Sequence, residues 1–397
     1  MQDAAETVER AQQELDLQMT LGSALAATKG QAAPETGHAY NRARELCQRV
    51  GETPQLFPVL GGLVPFYINR GELQTALELG KQMLSLAQRV HDPAALGNAH
   101  IMLGNALSFV GEMVTARTHL EQGITLSKSQ QHGSSSSPRD TYPVVLGLSR
   151  LAQALWHLCY SDQALQRSQE ALTLARALSH PRSLATALIF AAGLYWCRRE
   201  GQMTCEHAEA ALVLSGEQGF AFRSAEATIQ RGWALAEQGQ GQAGLAQIRQ
   251  GLNDLSTTGT ELNVSHLIML AEASGSVGQT QEGLQVIAEA LAVSDSSGGS
   301  RWVVELYRLK GELLLTRSSE LHAEAETCFC QALDIARRQQ AKSLELRAAM
   351  SLARLWQRQG KRTAAHALLA PIYGWFTEGF DTADLKDAKA LLDELCT

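Results

Sequence analysis

The chain has 397 residues, 45% of them apolar and 19% charged, with only 9 prolines, a composition that excludes disordered and fibrous proteins and predicts a soluble, mostly helical globule. A net charge of −7 excludes a general nucleic-acid binder, which needs a broad basic surface to displace counterions. The charge is uneven: residues 202–299 carry 3 basic and 11 acidic side chains and residues 301–362 carry 12 basic and 7 acidic ones, so an acidic middle precedes a basic end.

The opening residues MQDAAETVER show no apolar run behind a basic start, so no secretory signal is read there. The most apolar run, LATALIFAAGLYWC at 184–197, is shorter than the roughly 18 residues a membrane span needs. A cytoplasmic protein without a membrane partner is expected. Seven cysteines, at 47, 159, 197, 205, 328, 330 and 396, form no CxxC pair and predict reduced, mostly buried thiols.

Taken in chain order, one frame recurs: a small residue, then positions four and seven further on that are apolar or small. It reads Ala39/Ala43/Leu46, Ala76/Gly80/Met83, Ala116/Leu120/Gly123, Ala164/Ser168/Ala171, Ala208/Leu212/Ser215, Gly244/Ile248/Gly251, Gly283/Ile287/Ala290, Ala325/Phe329/Ala332 and Ala365/Leu369/Ile372. Successive frames start 37, 40, 48, 44, 36, 39, 42 and 40 residues apart, the signature of a repeat architecture. A glycine stands ahead of most frames (Gly71, Gly111, Gly201, Gly239, Gly278, Gly360), suited to the left-handed residue that ends a helix. In the fourth unit Cys159 takes that place. Upstream of the turns a second helical pattern carries an aromatic near its end: Tyr67, Phe109, Trp156, Trp196, Trp233 and Trp356.

Each unit therefore reads as a helical hairpin whose apolar stripe only stacked neighbours can bury. The expected fold is all-α, a right-handed solenoid of about nine hairpins, near 7–50, 56–90, 94–130, 142–178, 182–217, 221–256, 260–295, 301–339 and 342–376, with a capping helix over 381–395. All of it forms one domain. SQQHGSSSSPRDTYP at 129–143 is expected to be a polar surface loop.

At Ala325, Phe329 and Ala332 the frame resembles the A-x-x-x-F-x-x-A core of the tetratricopeptide repeat, with a period longer than that family's usual 34. ERAQQELDLQMTLGSALAATKG (9–30), RARELCQRVGETPQLFPVL (42–60), DQALQRSQEALTLA (162–175), RGWALAEQGQG (231–241) and ELYRLKGELLL (305–315) are similar to the C-terminal tetratricopeptide region of large bacterial proteins that join a cyclase-like domain or a kinase to a signal-transduction ATPase. The resemblance implies a regulatory, non-catalytic module binding a peptide, a partner domain or other parts of its own polypeptide. A likeness to the maltose-responsive transcription activator implies the alternative, a small-molecule sensor.

Chemistry-bearing motifs do not compete with this reading. No phosphate-binding G-x-x-x-x-G-K-[ST] loop is present, and GQGQAG at 239–244 reads as a hairpin turn. Cys197, Cys205 and His207 are the best metal candidate, against which buried thiols beside an exposed histidine are the commoner arrangement. No local elbow supports a nucleophile, so neither catalytic residue nor cofactor is assigned. The segment YGWFTEGFDTADLKDAKALLDEL (373–395) gathers six carboxylates and four aromatic rings. It reads as a closing helix, with Ala383, Ala388, Leu391, Leu392 and Leu395 inward and Asp387, Asp393 and Glu394 outward; acids at 384 and 387 complement its dipole.

The resemblance places the concave groove on the first helix of each hairpin. There Arg301, Glu305, Arg308 and Glu312 alternate in sign, as a solvated face with mutual ion pairs does. Arg347, Arg354 and Arg358 share one face with no acid on it, opposite Leu344, Ala348, Leu352 and Leu355. They are candidate ligands for a carboxylate or phosphate, with a solvated basic face as the plain alternative. Trp156, Trp196 and Trp233 are candidate groove aromatics, with core packing as their alternative.

Overall fold

The computed structural model describes residues 2–50, 55–131, 138–260 and 263–396. Among them the chain forms α1 (Gln2–Thr28) and α2 (Pro34–Val50), α3 (Leu56–Asn69) and α4 (Leu73–Val90), α5 (Pro93–Val110) and α6 (Met113–Gln131), α7 (Pro138–His157) and α8 (Ser161–Ala177), and α9 (Pro181–Cys197) and α10 (Gly201–Gln218). There follow α11 (Ala221–Glu237) and α12 (Gly241–Thr257), α13 (Val264–Ser276) and α14 (Thr280–Ser296), α15 (Val303–Arg317) and α16 (His322–Gln339), α17 (Lys342–Arg358) and α18 (Arg362–Tyr373), and finally α19 (Ala383–Cys396). The order is nine hairpins and a closing helix, an all-α solenoid. Of the serine-rich stretch expected as a loop, 132–137 lies outside the described residues, while its flanks belong to α6 and α7.

Local chemistry sets the element ends. Asp92 caps α5 by accepting from the Ala94 amide at 3.0 Å, with Pro93 as the first helical residue, and Asn263 caps α13 through the Ser265 amide at 3.1 Å; both answer amides that a helix start leaves unpaired. Gly71, Gly111, Gly239, Gly278 and Gly360 turn the chain with φ between 70 and 93°. Gly201 instead opens α10, and Arg199 (φ 61°) takes the left-handed position, as Cys159 (φ 75°) does one hairpin earlier. The turn geometry is thus kept where glycine is missing, and the surrounding packing bears the backbone strain.

The recurring frame occupies the second helix of every hairpin, and its positions are buried throughout except Leu212, which is half-buried. The requirement for a small first residue is geometric. A β-carbon on Gly244 would stand 2.4 Å from the Gly232 carbonyl oxygen of the facing helix, so α11 and α12 cross backbone to backbone.

The stack also coils tightly enough to touch itself. The Arg301 amide donates to the Phe109 carbonyl at 3.3 Å, and the Ser343 hydroxyl to the Trp156 carbonyl at 2.5 Å. A β-carbon on Gly259 would meet the Ala32 carbonyl at 2.7 Å. Each of these contacts links a hairpin to the fifth one after it, so one superhelical turn rests on the next and the concave groove closes into an internal channel.

Candidate functional site

The channel is lined by the first helices of the hairpins, and Trp196 lines a chamber on either side of it. Trp302, at the start of α15, lies 4.9 Å from Trp196 and 6.5 Å from Trp156 between ring centroids. On one side of Trp196 is a chamber with an empty volume of about 790 Å³, the part open to solvent included. On the other is one of about 810 Å³ on the same measure.

The first chamber is built around two arginines. Arg150 projects from α7 and stacks on Phe109 at 4.4 Å and Phe190 at 4.3 Å, while its Nη1 donates to Gln153 at 3.0 Å. Arg301 also lies over the Phe109 ring, at 4.6 Å. Its Nη1 lies 3.4 Å from the Ser108 carbonyl. The two are 8% and 5% exposed, and among the described residues neither has a carboxylate partner. The chamber's acid, Glu226, is held by Arg223 at 2.5 Å.

Electrostatics follow from that arrangement. Burial, and then the charge of Arg301, drives the Arg150 guanidinium well below its ordinary pKa; burial brings Arg301 down to about 10. The Nε atoms of both arginines, Trp302 Nε1, Asn105 Oδ1, Gln230 Oε1 and His266 Nδ1 are buried with no protein hydrogen-bond partner. These residues all line the chamber. Unpaired buried polar atoms are costly in a native fold.

The second chamber has its charges matched. Glu305 of α15 is bound by Arg308 at 2.6 Å and approached by Arg347 at 3.7 Å; burial works to raise its carboxyl, and the two arginines hold it below the ordinary value. Arg347 of α17 donates to Asp384 of α19 at 2.8 Å and to the Cys197 carbonyl at 2.5 Å. Glu272 accepts from Trp233 Nε1 at 2.8 Å and Trp196 Nε1 at 3.2 Å. Burial, and then the negative Glu305, push its carboxyl up to about 7.

Two readings from sequence change here. Glu305, Arg308 and Glu312 do form ion pairs while Arg301 joins none of them, and Arg301 and Glu305 are buried and Arg308 nearly so, because the coiling brings the next turn over the face that looked solvated. The face of Arg347 carries no acid of its own helix, yet its charge is met by Asp384 and Glu305 from α19 and α15. Of its companions, Arg354 lines the second chamber half-buried and Arg358 is exposed. Asp384, expected as a dipole complement, is buried in this network, and Leu385 joins the inward stripe of α19.

Trp156, Trp196 and Trp233 are 3%, 6% and 3% exposed, and Trp196 and Trp233 also line the second chamber. In a closed channel, core and groove are the same place. Burial pushes the thiols of Cys159 and Cys197 up to about 11 and 12, so both are protonated and poor nucleophiles. Among the described residues no group of three His, Cys, Asp or Glu side chains is placed to hold a metal, Cys197, Cys205 and His207 included. No helix is long and apolar enough to cross a membrane.

Sequence reasoning missed Arg150 and Glu272. A lone arginine inside VVLGLSRLAQALW, 144–156, was a usable signal for Arg150, since an isolated charge on an apolar helix must be compensated. Glu272 offered none, because its indole partners come from α9 and α11.

No family model matches the chain. It is 23% identical over 343 residues to an uncharacterised protein of Rhizobium meliloti (strain 1021), covering 84% of this chain and 33% of that protein. The chain thus spans a third of the length of the curated relative it matches. Among solved structures it is similar to a Rap protein complexed with competence and sporulation factor, with a TM-score of 0.62 and 11% identity over 98% of this chain and 99% of that one. It is also similar to the Rap conjugation gene regulator of plasmid pLS20 in complex with the Phr* peptide (TM-score 0.53, 10% identity, 96% of each chain). A third likeness is to the APC/C assembly Cut9–Hcn1 (TM-score 0.54, 11% identity, 91% of this chain and 60% of that one). At these identities the likeness concerns architecture, and the architecture is that of a tetratricopeptide-like helical-repeat solenoid.

Proposed function

We propose that this chain is a non-catalytic regulatory module that binds a peptide or a segment of a partner protein inside its concave channel. The observation that carries the reading is the first chamber, where arginine Nε and amide oxygen atoms are buried without partners and the two arginines lack a carboxylate, while Glu305, Arg347 and Asp384 of the second chamber are paired with one another. Buried polar groups left open in a well-packed fold are suited to being completed by a ligand. The two Rap structures, each in complex with a peptide or factor, support a peptide as the class of ligand for this architecture. Similarity to the C-terminal region of bacterial signalling ATPases and cyclase-like proteins supports a place in such a polypeptide, acting in the cytoplasm on a neighbouring domain. Arg354 in the second chamber and the exposed Arg358 beyond it would hold acidic side chains of the ligand, with Arg347 acting only if Asp384 moves aside.

The test is a titration of the full chain with pooled peptides followed by tryptophan fluorescence, since Trp196, Trp233 and Trp302 all line the channel. A saturable change that Arg354→Glu with Arg358→Glu weakens for acidic peptides supports the reading; no change at any peptide concentration refutes it.

One feature favours a second reading, a small-molecule sensor. Trp196 separates the channel into two chambers, each with a few convergent polar groups that a small ligand could engage. A rise in Tm with a metabolite mixture but not with peptides would select it.

A further inference from the structure

We propose that Arg150 and Arg301 form the base of an anion pocket that receives the C-terminal carboxylate of a short peptide, whose last peptide groups are read by Asn105 and Gln230. The inference deepens the peptide-binding reading above and rests on it.

The physical case is one of unmet charge. Two guanidinium groups lie against the Phe109 ring, one at 4.4 Å and the other at 4.6 Å. An aromatic face gives a cation part of its missing counter-charge but offers no acceptor for the N–H groups at its edge. Both Nε atoms remain without a protein partner in a buried position. Holding two like charges in such a place is unfavourable unless something negative arrives. The pocket's one acid cannot serve, because Glu226 is engaged by Arg223. The buried arginines a short way along the same channel are compensated: Arg347 and Arg308 both find carboxylates.

The rest of the pocket selects the kind of anion. Asn105 Oδ1 and Gln230 Oε1 are unpaired acceptors and Trp302 Nε1 an unpaired donor, a mixed set that matches the N–H and C=O of peptide groups rather than the acceptor-only surface of a phosphate. The chamber is bounded on one side by the packed rings of Trp302 and Trp196. A chain end therefore suits it better than a side chain projecting from a continuing segment. Two arginine forks facing one carboxylate give the bidentate recognition that carboxylates favour.

The experiment uses the full chain and three probes: a pool of random pentapeptides with free C-termini, the same pool with amidated C-termini, and succinate. Binding is read by native mass spectrometry on the wild type, Arg150→Gln and Arg301→Gln. The expected result is retention of free-acid peptides over amidated ones by about tenfold or more, as a lost charge-assisted contact requires, with the preference abolished in either variant. Each glutamine variant should melt at or above the wild-type temperature, since it removes an uncompensated buried charge. A fall in Tm would mark the arginines as structural and overturn the proposal. Equal retention of the two pools would overturn carboxylate recognition while leaving peptide binding standing. Retention of succinate alone would replace the peptide terminus with a small organic acid, and retention of none of the probes would refute the pocket. The comparison of free-acid with amidated peptides on the wild type needs no variant to fold.

Discussion

Arg347 of α17 donates its Nε–H to Asp384 of α19 at 2.8 Å, so the closing helix is bound to the interior of the channel by a buried charge pair. Replacing Asp384 with alanine leaves Arg347 inside the protein with the more distant Glu305, at 3.7 Å, as its remaining carboxylate. The expected loss is about 3 kcal/mol in urea unfolding, the scale for orphaning a buried charge. Asp393→Ala, which breaks only an exposed pair with Lys389, should leave stability essentially unchanged. Equal effects of the two would show that α19 is held by its leucines alone.

Glu272 gives the channel a pH response. Its carboxyl is raised to about 7 in the folded chain, first by burial and then by Glu305, against an ordinary value of 4.5. A raised carboxyl binds its proton more tightly folded than unfolded, so its contribution is fully present below the unfolded pKa and is lost as pH rises from about 4.5 to 7. Glu272→Gln keeps an oxygen acceptor for the two indoles and removes the titration. Between pH 5 and pH 8 the wild type should lose about 1–3 kcal/mol relative to this variant, read from paired urea curves. Parallel pH dependences would show that Glu272 is ordinary.

Close crossing of α11 and α12 should be sensitive to one methyl group. Gly244→Ala puts a β-carbon against backbone on the facing helix, 2.4 Å from Gly232 O and 2.7 Å from the Ala236 amide nitrogen, where neither neighbour can rotate away. A cost of about 2 kcal/mol is expected. Gly216 in α10 has nothing within 4 Å of its own β-position, and Gly216→Ala should instead stabilise by about 0.5–1 kcal/mol through helix propensity. Thermal unfolding of the two variants side by side decides the sign.

Thiol chemistry should sort the cysteines by position. Cys330 and Cys396 are exposed and Cys47, Cys159, Cys197 and Cys328 are buried, with Cys159 and Cys197 held protonated near pKa 11 and 12 by burial. A thiol reagent at pH 8 should label two sites quickly in the native chain and the buried four only on unfolding. Rapid modification of Cys197 would mean that the channel opens readily to solvent.

What the sequence made legible was local and periodic. The small residue of each frame, exemplified by Gly244, follows from how near two helices pass, and that distance is encoded within one hairpin. The channel was not legible in the same way, because it depends on the summed rotation of five successive hairpins. Nothing near Phe109 announces that Arg301, almost two hundred positions later, will donate to its carbonyl. For the same reason Arg347 looked unmatched: its acids sit on α15 and α19. The choice between core and groove for Trp196 and Trp233 dissolved once the groove became interior. Arg150 is the instructive case between these, a charge whose isolation could be read from its own helix while the ring it stacks on, Phe109, could not.

The bonds that tie each hairpin to the fifth one after it also give the chain a mechanical character. A stack held only by contacts between neighbours unravels one unit at a time when its ends are pulled. Here the Phe109–Arg301 and Trp156–Ser343 hydrogen bonds lie in parallel with the backbone, and load reaches them before the hairpins they span can separate. The molecule should respond as a latched coil: stiff at low force, then opening abruptly once the turns part. In an optical trap that latch would appear as one threshold in place of a staircase, and a ligand seated between the turns would raise it.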